Sequence, residues 1–252
     1  MKLVRFRFND AVSYGVVEGE DVYQLKGSPF ESPARGERVG TLEELELLAP
    51  VAPSKIIAIG KNYFEHAAEM SSEVPDEPLM FFKPPSAVIG PGASIVYPSL
   101  SEEVHHEGEL VVVIGKRVRK ATPENALDYV LGYTCGNDVT ARDLQRKEKQ
   151  WVRGKGFDTF CVLGPWIETD LNPANVSVVT RVNGEVRQNG NTSQMAFDVP
   201  TLIATASSVM TLEPGDVIMT GTPAGVGPIH PGDIVEVEIE GIGVLRNPVV
   251  SE

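Results

Sequence analysis

Two glutamates, Glu107 and Glu109, stand one residue apart at the start of the apolar run Leu-Val-Val-Val-Ile. A run of that composition reads as a strand, and alternate residues of a strand project from one face, so the two carboxylates share a side. At an effective dielectric of roughly 20, unit charges ~4 Å apart repel by about 4 kcal/mol, so both stay ionised at close quarters only around a cation. Taken alone, an E-x-E is more often a pair of solvated side chains on a half-exposed strand. Asp138 lies in a second polar cluster, Gly-Asn137-Asp138-Val-Thr140-Ala-Arg142-Asp143-Leu-Gln145, directly after the apolar stretch YVLGYTC, and can supply a third carboxylate from a strand end. Three carboxylates, with no thiolate and no H-E-x-x-H pattern, describe a hard-cation site for Mg²⁺, Mn²⁺ or Ca²⁺ rather than zinc. Of the neighbouring histidines only His105 can share the side of Glu107, and it is expected at the rim rather than among the ligands.

A base is available nearby in sequence type. In Gly60-Lys61-Asn62-Tyr63-Phe64-Glu65-His66-Ala67-Ala68-Glu69-Met70 a strand gives way to a helical stretch, and His66 and Glu69 fall on neighbouring positions of one face. The carboxylate can orient the imidazole, which is what a water-activating base needs. An exposed His and Glu at this spacing are also a common surface pair. Lys155 sits between Gly154 and Gly156, where it can approach a substrate carboxylate or simply be a solvated loop lysine. The segment Thr220-Gly221-Thr222-Pro223-Ala-Gly225-Val-Gly227 can turn backbone N–H groups toward an anion, but it lacks the G-K-[ST] ending of a phosphate-binding loop.

The elements that must position these groups are mostly strands. From Lys2 to about Leu25 polar and apolar residues alternate in short runs broken by Glu-Gly-Glu, the pattern of small hairpins. Thr41-Leu-Glu-Glu44 is a capping box that predicts a short helix ending before Pro50. Pro50 and Pro53 mark a boundary, so residues 1–52 read as a small N-terminal module and 53–252 as the main domain. The main domain is strand-rich, with an Asn183-Gly184 hairpin turn. Two helices are predicted within it. One starts at Thr122 with Ala126, Leu127, Val130 and Leu131 on one face; the other starts at Asp198 with Leu202, Ile203, Ala206, Val209 and Met210 facing the core.

Composition bounds the rest. The chain has 252 residues, 42% of them hydrophobic, enough for a substantial core. With 22 basic and 35 acidic side chains the net charge is -13, and the scattered basic residues offer no broad positive surface, so nucleic acid is not expected as a partner. An acidic metabolite can bind only where a metal and local cations reverse the field. No signal-like segment and no run of about 18 apolar residues occurs, so no membrane partner and a cytoplasmic location are expected. Cys135 and Cys161 are too far apart for a C-x-x-C motif and read as free thiols.

Taken in order, GKNYFEHAAEM, FFKPPSAVIGPG, the E-x-E followed by VVVIGK, GNDVTARDLQ, GKGFDTFCVLGPW, VNGEVRQNGNTSQM and TLEPGDVIMTGTPAGVG closely resemble the fumarylacetoacetate hydrolase family, over roughly residues 53 to 250. The likeness is to its compact branch of acylpyruvate hydrolases, oxaloacetate decarboxylases and hydroxyheptadienedioate isomerases. It departs in the short PIHPGD after GTPAGVG and in the HHEGEL form of the E-x-E. The resemblance implies a mainly-β fold of mixed sheets rolled around a central metal pocket, and a homodimer. It implies Mg²⁺ or Mn²⁺ held by Glu107, Glu109 and Asp138, a His66–Glu69 dyad on a lid, and Lys155, Gln145, Arg142 and Thr222 lining the site. The expected substrate is a small 2,4-dioxo or 2-oxo dicarboxylic acid that chelates the metal through its carboxylate and ketone oxygens. Hydrolysis of an acylpyruvate carbon–carbon bond through an enolate is the leading expectation; isomerisation or decarboxylation through the same enolate, or a silent metal-binding scaffold, are the alternatives.

Overall fold

The computed structural model describes residues 1–31 and 33–252. Its main feature is a twelve-stranded mixed sheet. Reading across it, the strands are Ala34–Thr41, Asp21–Lys26, Ala11–Glu18, Lys2–Phe8, Cys161–Glu168, Val130–Asp138, Gly108–Ile114, Val217–Met219, Ile56–Gly60 and Leu79–Lys83. Glu46–Leu48 pairs beside Lys2–Phe8, and Val88–Ile89 runs parallel to Cys161–Glu168. A five-stranded sheet (Glu185–Asn191, Ser177–Val182, Ile234–Ile239, Gly243–Ser251, Ile95–Tyr97) packs over the middle of the large one. A three-stranded ribbon of Thr140–Ala141, Val104–His106 and Gly227–Pro228 closes one end.

The central strand Gly108–Ile114 is buried along its whole length, and its period of two divides it between two cores. Leu110, Val112 and Ile114 face the five-stranded sheet with Val178, Val237 and Leu245. Val111 and Val113 face the other way with Ala58, Cys161, Leu163 and Met219. Near-continuous apolar sequence is what a strand covered on both faces requires. Glu109 continues the Val111 side, so the apolar run itself drives that carboxylate into the interior.

The N-terminal hairpins form as predicted. Asn9 and Asp10 turn the first at φ of 49° and 61°, and Gly19 helps turn the second at φ 65°. The Lys2–Phe8 strand also pairs with Cys161–Glu168 through Lys2↔Glu168 and Leu3↔Ile167, which makes the first fifty residues an extension of the main sheet. The Asn183-Gly184 turn has φ of 54° and 80°, the left-handed pair that a two-residue hairpin demands.

Three helix expectations need correction. After Thr41 the chain makes only a turn: the Glu44 carboxylate accepts from the Thr41 N–H at 2.9 Å, one half of a capping box, with no helix behind it. A helix of one or two turns is marginal by itself, whereas strand pairing of Arg5, Phe6 and Arg7 with Leu48, Leu47 and Glu46 sets Leu42, Leu45 and Leu47 against Val4, Phe6 and Val22. The predicted helix from Thr122 shrinks to a 3₁₀ turn, Ala126–Tyr129, because Val130 and Leu131 are taken up by the strand beside Gly108–Ile114; Leu127 is exposed. The helix Val199–Val209 forms, with the Asp198 carboxylate capping the Thr201 N–H at 3.0 Å. Its buried face holds Leu202, Ile203 and Ala206, while Val209, at the last turn, points to solvent. Among the described residues no helix is long and apolar enough to cross a membrane.

Candidate functional site

The three carboxylates converge. One oxygen from each of Glu107, Glu109 and Asp138 lies within 4.8 Å of the others, and all three residues are buried. Register explains the meeting. Gly108 pairs with Asn137 and Glu109 with Gly136, and the Asp138 N–H donates to the Glu107 carbonyl at 2.9 Å, which brings two strand ends side by side. The Asn137 side chain locks the crossing by accepting the Glu107 N–H at 2.9 Å.

Cations surround two of the three. Glu107 receives Arg142 Nη2 at 2.5 Å and Lys155 Nζ at 2.7 Å. Asp138 receives Lys155 Nζ at 2.7 Å and Lys83 Nζ at 2.5 Å. Glu109 has no cationic partner among the described residues; its recorded contact is the Gly221 N–H at 2.8 Å. Gly221 reaches that carboxylate with φ +96°, a backbone state that a residue with a side chain rarely adopts. Burial pushes Glu109 well above the usual carboxylate range, and the neighbouring Asp138 and Glu107 charges push it further. Burial acts upward on Glu107 too, but Lys155, Arg142 and His66 overcome it and hold that carboxyl below its ordinary value. Lys155 shows the mirror effect: burial disfavours its charge, and Asp138 and Glu107 more than restore it.

The proposed base is built on the short helix Phe64–Glu69. His66 Nδ1 lies 3.2 Å from Glu69 Oε2, and the same carboxylate accepts the Gly225 N–H at 3.1 and 3.2 Å from its two oxygens. A carboxylate fed by a backbone donor accepts from the ring as well, so Nδ1 carries the proton and Nε2 is left basic. The glycine loop therefore does present N–H groups to carboxyl oxygens, and these belong to the protein's own Glu69 and Glu109.

His66, Glu107, Glu109, Arg142, Gln145 and Lys155 line one cavity of about 160 Å³, and Thr222 borders it too. Gln145 accepts from Arg142 Nη1 at 2.7 Å and so fixes the guanidinium from behind. The Thr222 hydroxyl donates to the Gly108 carbonyl at 2.8 Å and accepts from Gln188 at 2.7 Å, so its proton is committed inside the protein. Asp138 and Glu69 do not border the cavity themselves; Asp138 joins it through Glu107 and Lys155, and Glu69 through His66. Lys155 is no loop lysine: it ends the helical turn Val152–Lys155 and is 2% exposed.

His105 does not take the rim position expected of it. Its Nε2 faces Glu103 at 3.2 Å, and the residue does not border the cavity. His106 is buried on the other side, with Nδ1 3.2 Å from Gln188 Oε1, and burial pushes it down to about 4. Lys83 was missed as a site residue. The available signal was a lysine ending the apolar Leu79–Lys83 strand just before two prolines, and a position like that reads equally as a solvated strand end. Phe81 and Trp151 were also missed, since wall residues carry no motif.

Residues 55–250 match the model of the fumarylacetoacetate hydrolase C-terminal domain, and residues 1–50 match the N-terminal model named Rv2993c-like. The chain belongs to the fumarylacetoacetate hydrolase family. Within that family it is 46% identical over 220 residues to human mitochondrial oxaloacetate tautomerase FAHD2A, covering 82% of this chain and 70% of that one. It superposes with a TM-score of 0.94 at 48% identity on the crystal structure of a 5-carboxymethyl-2-hydroxymuconate delta-isomerase from Mycobacterium smegmatis, over 100% of both chains. It superposes with a TM-score of 0.83 at 34% identity on a maleylpyruvate hydrolase from Sphingobium sp. SYK-6 in complex with manganese(II) and pyruvate, over 100% of this chain and 99% of that one.

Proposed function

We propose that this family member is a divalent-metal-dependent enzyme that hydrolyses a carbon–carbon bond of a small acylpyruvate-type 2-oxo acid. The observation that carries the reading is a hard-cation donor set, two of whose carboxylates line the cavity, beside an oriented imidazole that lines it too. The donor set fits Mg²⁺ or Mn²⁺: three carboxylates within reach of one ion, and one of them, Glu109, buried without a cation. Charge supports the same conclusion. With Glu107, Glu109 and Asp138 all ionised around a bound divalent ion, the charges of Lys83, Arg142 and Lys155 offset the three carboxylates, and the ion leaves two positive charges to meet a substrate carboxylate and the negative charge that develops during reaction. When bound, the ion supplies Lewis acidity to the 2-oxo group.

The chain's own residues do the rest. Glu69 holds the His66 ring, whose Nε2 takes a proton from water as the water oxygen adds to the distal carbonyl carbon. The bond from that carbon toward the 2-oxo arm breaks with its electron pair on the 2-oxo arm, which takes up a proton at carbon. The products are a carboxylic acid and a shorter 2-oxo acid. Arg142, steadied by Gln145, and Lys155 hold positive charge beside the site throughout.

A second reading is tautomerisation or isomerisation of a 2-oxo acid, in which His66 moves a proton between carbon and oxygen without water. The higher identity to the tautomerase and the isomerase than to the hydrolase favours it. Purified protein with Mg²⁺ or Mn²⁺ should be incubated with acetylpyruvate, oxaloacetate and a hydroxydienedioate, alongside His66→Ala. Cleavage of acetylpyruvate that is lost in His66→Ala supports hydrolysis; enol–keto exchange without cleavage selects the second reading. No metal-dependent change in any substrate sinks both and leaves a metal-binding scaffold.

A further inference from the structure

A glutamine outside the cavity ties its parts together. On the strand Glu185–Asn191 residues 185–187 and 189 are exposed, yet Gln188 is 0% exposed. A bulge turns it inward: Thr180 pairs with Gln188 and Arg181 with Val186, so Arg187 is the extra residue. Bulges of this kind re-aim a side chain and are over-represented next to active sites. Burying an amide is costly unless its donors and acceptors are met, so the partners of Gln188 show what holds it there.

Every hydrogen-bonding position of that amide is taken. Oε1 accepts the Gly108 N–H at 2.9 Å and faces His106 Nδ1 at 3.2 Å. Nε2 donates to the Thr222 hydroxyl at 2.7 Å and to the Pro223 carbonyl at 2.8 Å. Backbone groups fix this orientation, because an N–H can only donate and a C=O can only accept. The Thr222 hydroxyl donates in turn to the Gly108 carbonyl at 2.8 Å. Gly108, Gln188 and Thr222 thus form a closed ring of three hydrogen bonds, which holds both polar backbone groups of the residue between Glu107 and Glu109. The neighbouring strand Val217–Met219 pairs along this edge only from Val113 to Val111, so side chains replace the ladder beyond it. The approach is close: a Cβ on Gly108 would lie 2.0 Å from Thr180 Oγ1 and 3.4 Å from Gln188 Oε1. Thr222 and Pro223 also belong to the loop that gives the Gly221 N–H to Glu109 and the Gly225 N–H to Glu69, behind His66.

We propose that Gln188 is a positioning residue of the metal centre. Through Gly108 it sets Glu107 and Glu109 against each other, and through Thr222 and Pro223 it keeps the glycine loop, and with it the His66–Glu69 pair, in register with those carboxylates. Without the amide the Gly108 peptide is free to rotate, which carries both glutamates with it, and the loop loses its tie to that peptide. The assignment rests on the proposed function, which gives the three acids a divalent ion and His66 a proton to move. Groups that orient metal ligands without touching the metal are worth about 10- to 100-fold in metal affinity.

Mn²⁺ itself is the probe, titrated by calorimetry into the metal-free protein. Gln188→Met keeps the length of the side chain, removes all four contacts, and should weaken Mn²⁺ binding by about 10- to 100-fold. Thr222→Val opens the same ring at another corner and should weaken it by a similar factor. The double variant should lose no more than about threefold beyond the weaker-binding single variant, because a ring already open has little left to lose. Hydrogen exchange separates positioning from general loosening: in Gln188→Met, peptides spanning 105–110 and 220–227 should exchange about tenfold faster, and the strand Ala11–Glu18 at the wild-type rate. Mn²⁺ affinity within about twofold of wild type in both single variants, or losses that simply add in the double variant, overturns the assignment and leaves the proposed function standing. Exchange that rises alike in all three segments overturns it as well. If Gln188→Met does not fold, Thr222→Val decides alone: an affinity within about twofold of wild type overturns the assignment, and a loss of about tenfold or more supports it. A wild type that takes up no Mn²⁺ overturns both this assignment and the proposed function.

Discussion

Glu109→Gln should make the metal-free protein more stable while removing its response to metal. Glu109 lies within 4.8 Å of both other carboxylates, where each like-charge pair repels by about 3.5 kcal/mol at an effective dielectric of 20. The carboxyl escapes that repulsion by holding its proton, which is why burial and its acidic neighbours raise its pKa well above 4.5. Holding a proton at pH 7.5 against an ordinary value of 4.5 costs at most about 4 kcal/mol, at 1.36 kcal/mol per pH unit. The amide is isosteric, carries no charge, and keeps an oxygen for the Gly221 N–H. Stability should therefore rise by about 1–4 kcal/mol at pH 7.5 in a chelator, or several degrees in Tm for a chain of this size. The sign of the pH dependence follows: between pH 4.5 and the raised folded value the native state binds more protons than the unfolded state, so this carboxyl makes wild-type stability fall as pH rises, and the variant lacks that slope. The advantage of the variant should vanish near pH 4.5 and grow as pH rises above it. Added Mg²⁺ at 100 times its Kd should stabilise the wild type by about 2.7 kcal/mol and leave the variant unmoved. Urea melts across this pH range, with EDTA and with Mg²⁺, give both numbers. A metal-free variant no more stable than the wild type at pH 7.5, with a pH-independent difference, would refute the picture of Glu109 as a strained acid awaiting a cation.

Lys83→Met removes one of the two ammonium groups on buried Asp138. Breaking a buried pair from one side costs about 3 kcal/mol, at the low end because Lys155 remains, so thermal unfolding should shift down on the order of 10 °C. A shift under about 2 °C would mean that Lys83 does not neutralise the site. Gly60→Ala places a methyl against Trp151, and that half-buried ring must move. The loss of an aromatic contact worth about 1 kcal/mol should raise KM roughly fivefold with kcat little changed, while tryptophan fluorescence shifts. Unaltered KM and emission would show that the ring yields without consequence for the cavity.

Much of the site was legible because its chemistry is written in local patterns. Strand alternation put Glu107 and Glu109 on one side, helical spacing paired His66 with Glu69, and the polar density after YVLGYTC singled out Asp138, Arg142 and Gln145. Turn chemistry was legible for the same reason: Asn183-Gly184 can do little else than reverse a strand. The helices predicted from Thr41 and Thr122 failed because short segments with weak intrinsic preference obey whatever pairs with them, and Leu47 and Val130 had strand partners from distant parts of the chain.

What the sequence determined by itself is the inventory: a mainly-β chain carrying three acids, an oriented histidine and a glycine loop. Tertiary structure alone decided which charges meet. Lys83 lies 55 residues from Asp138, and Arg142 lies 35 from Glu107, so no local period connects them. Their pairing, and the exception of Glu109, follow from strand register and from burial, because the protein interior makes an unmatched charge too costly to leave to chance and so sorts cations to acids across the whole sheet.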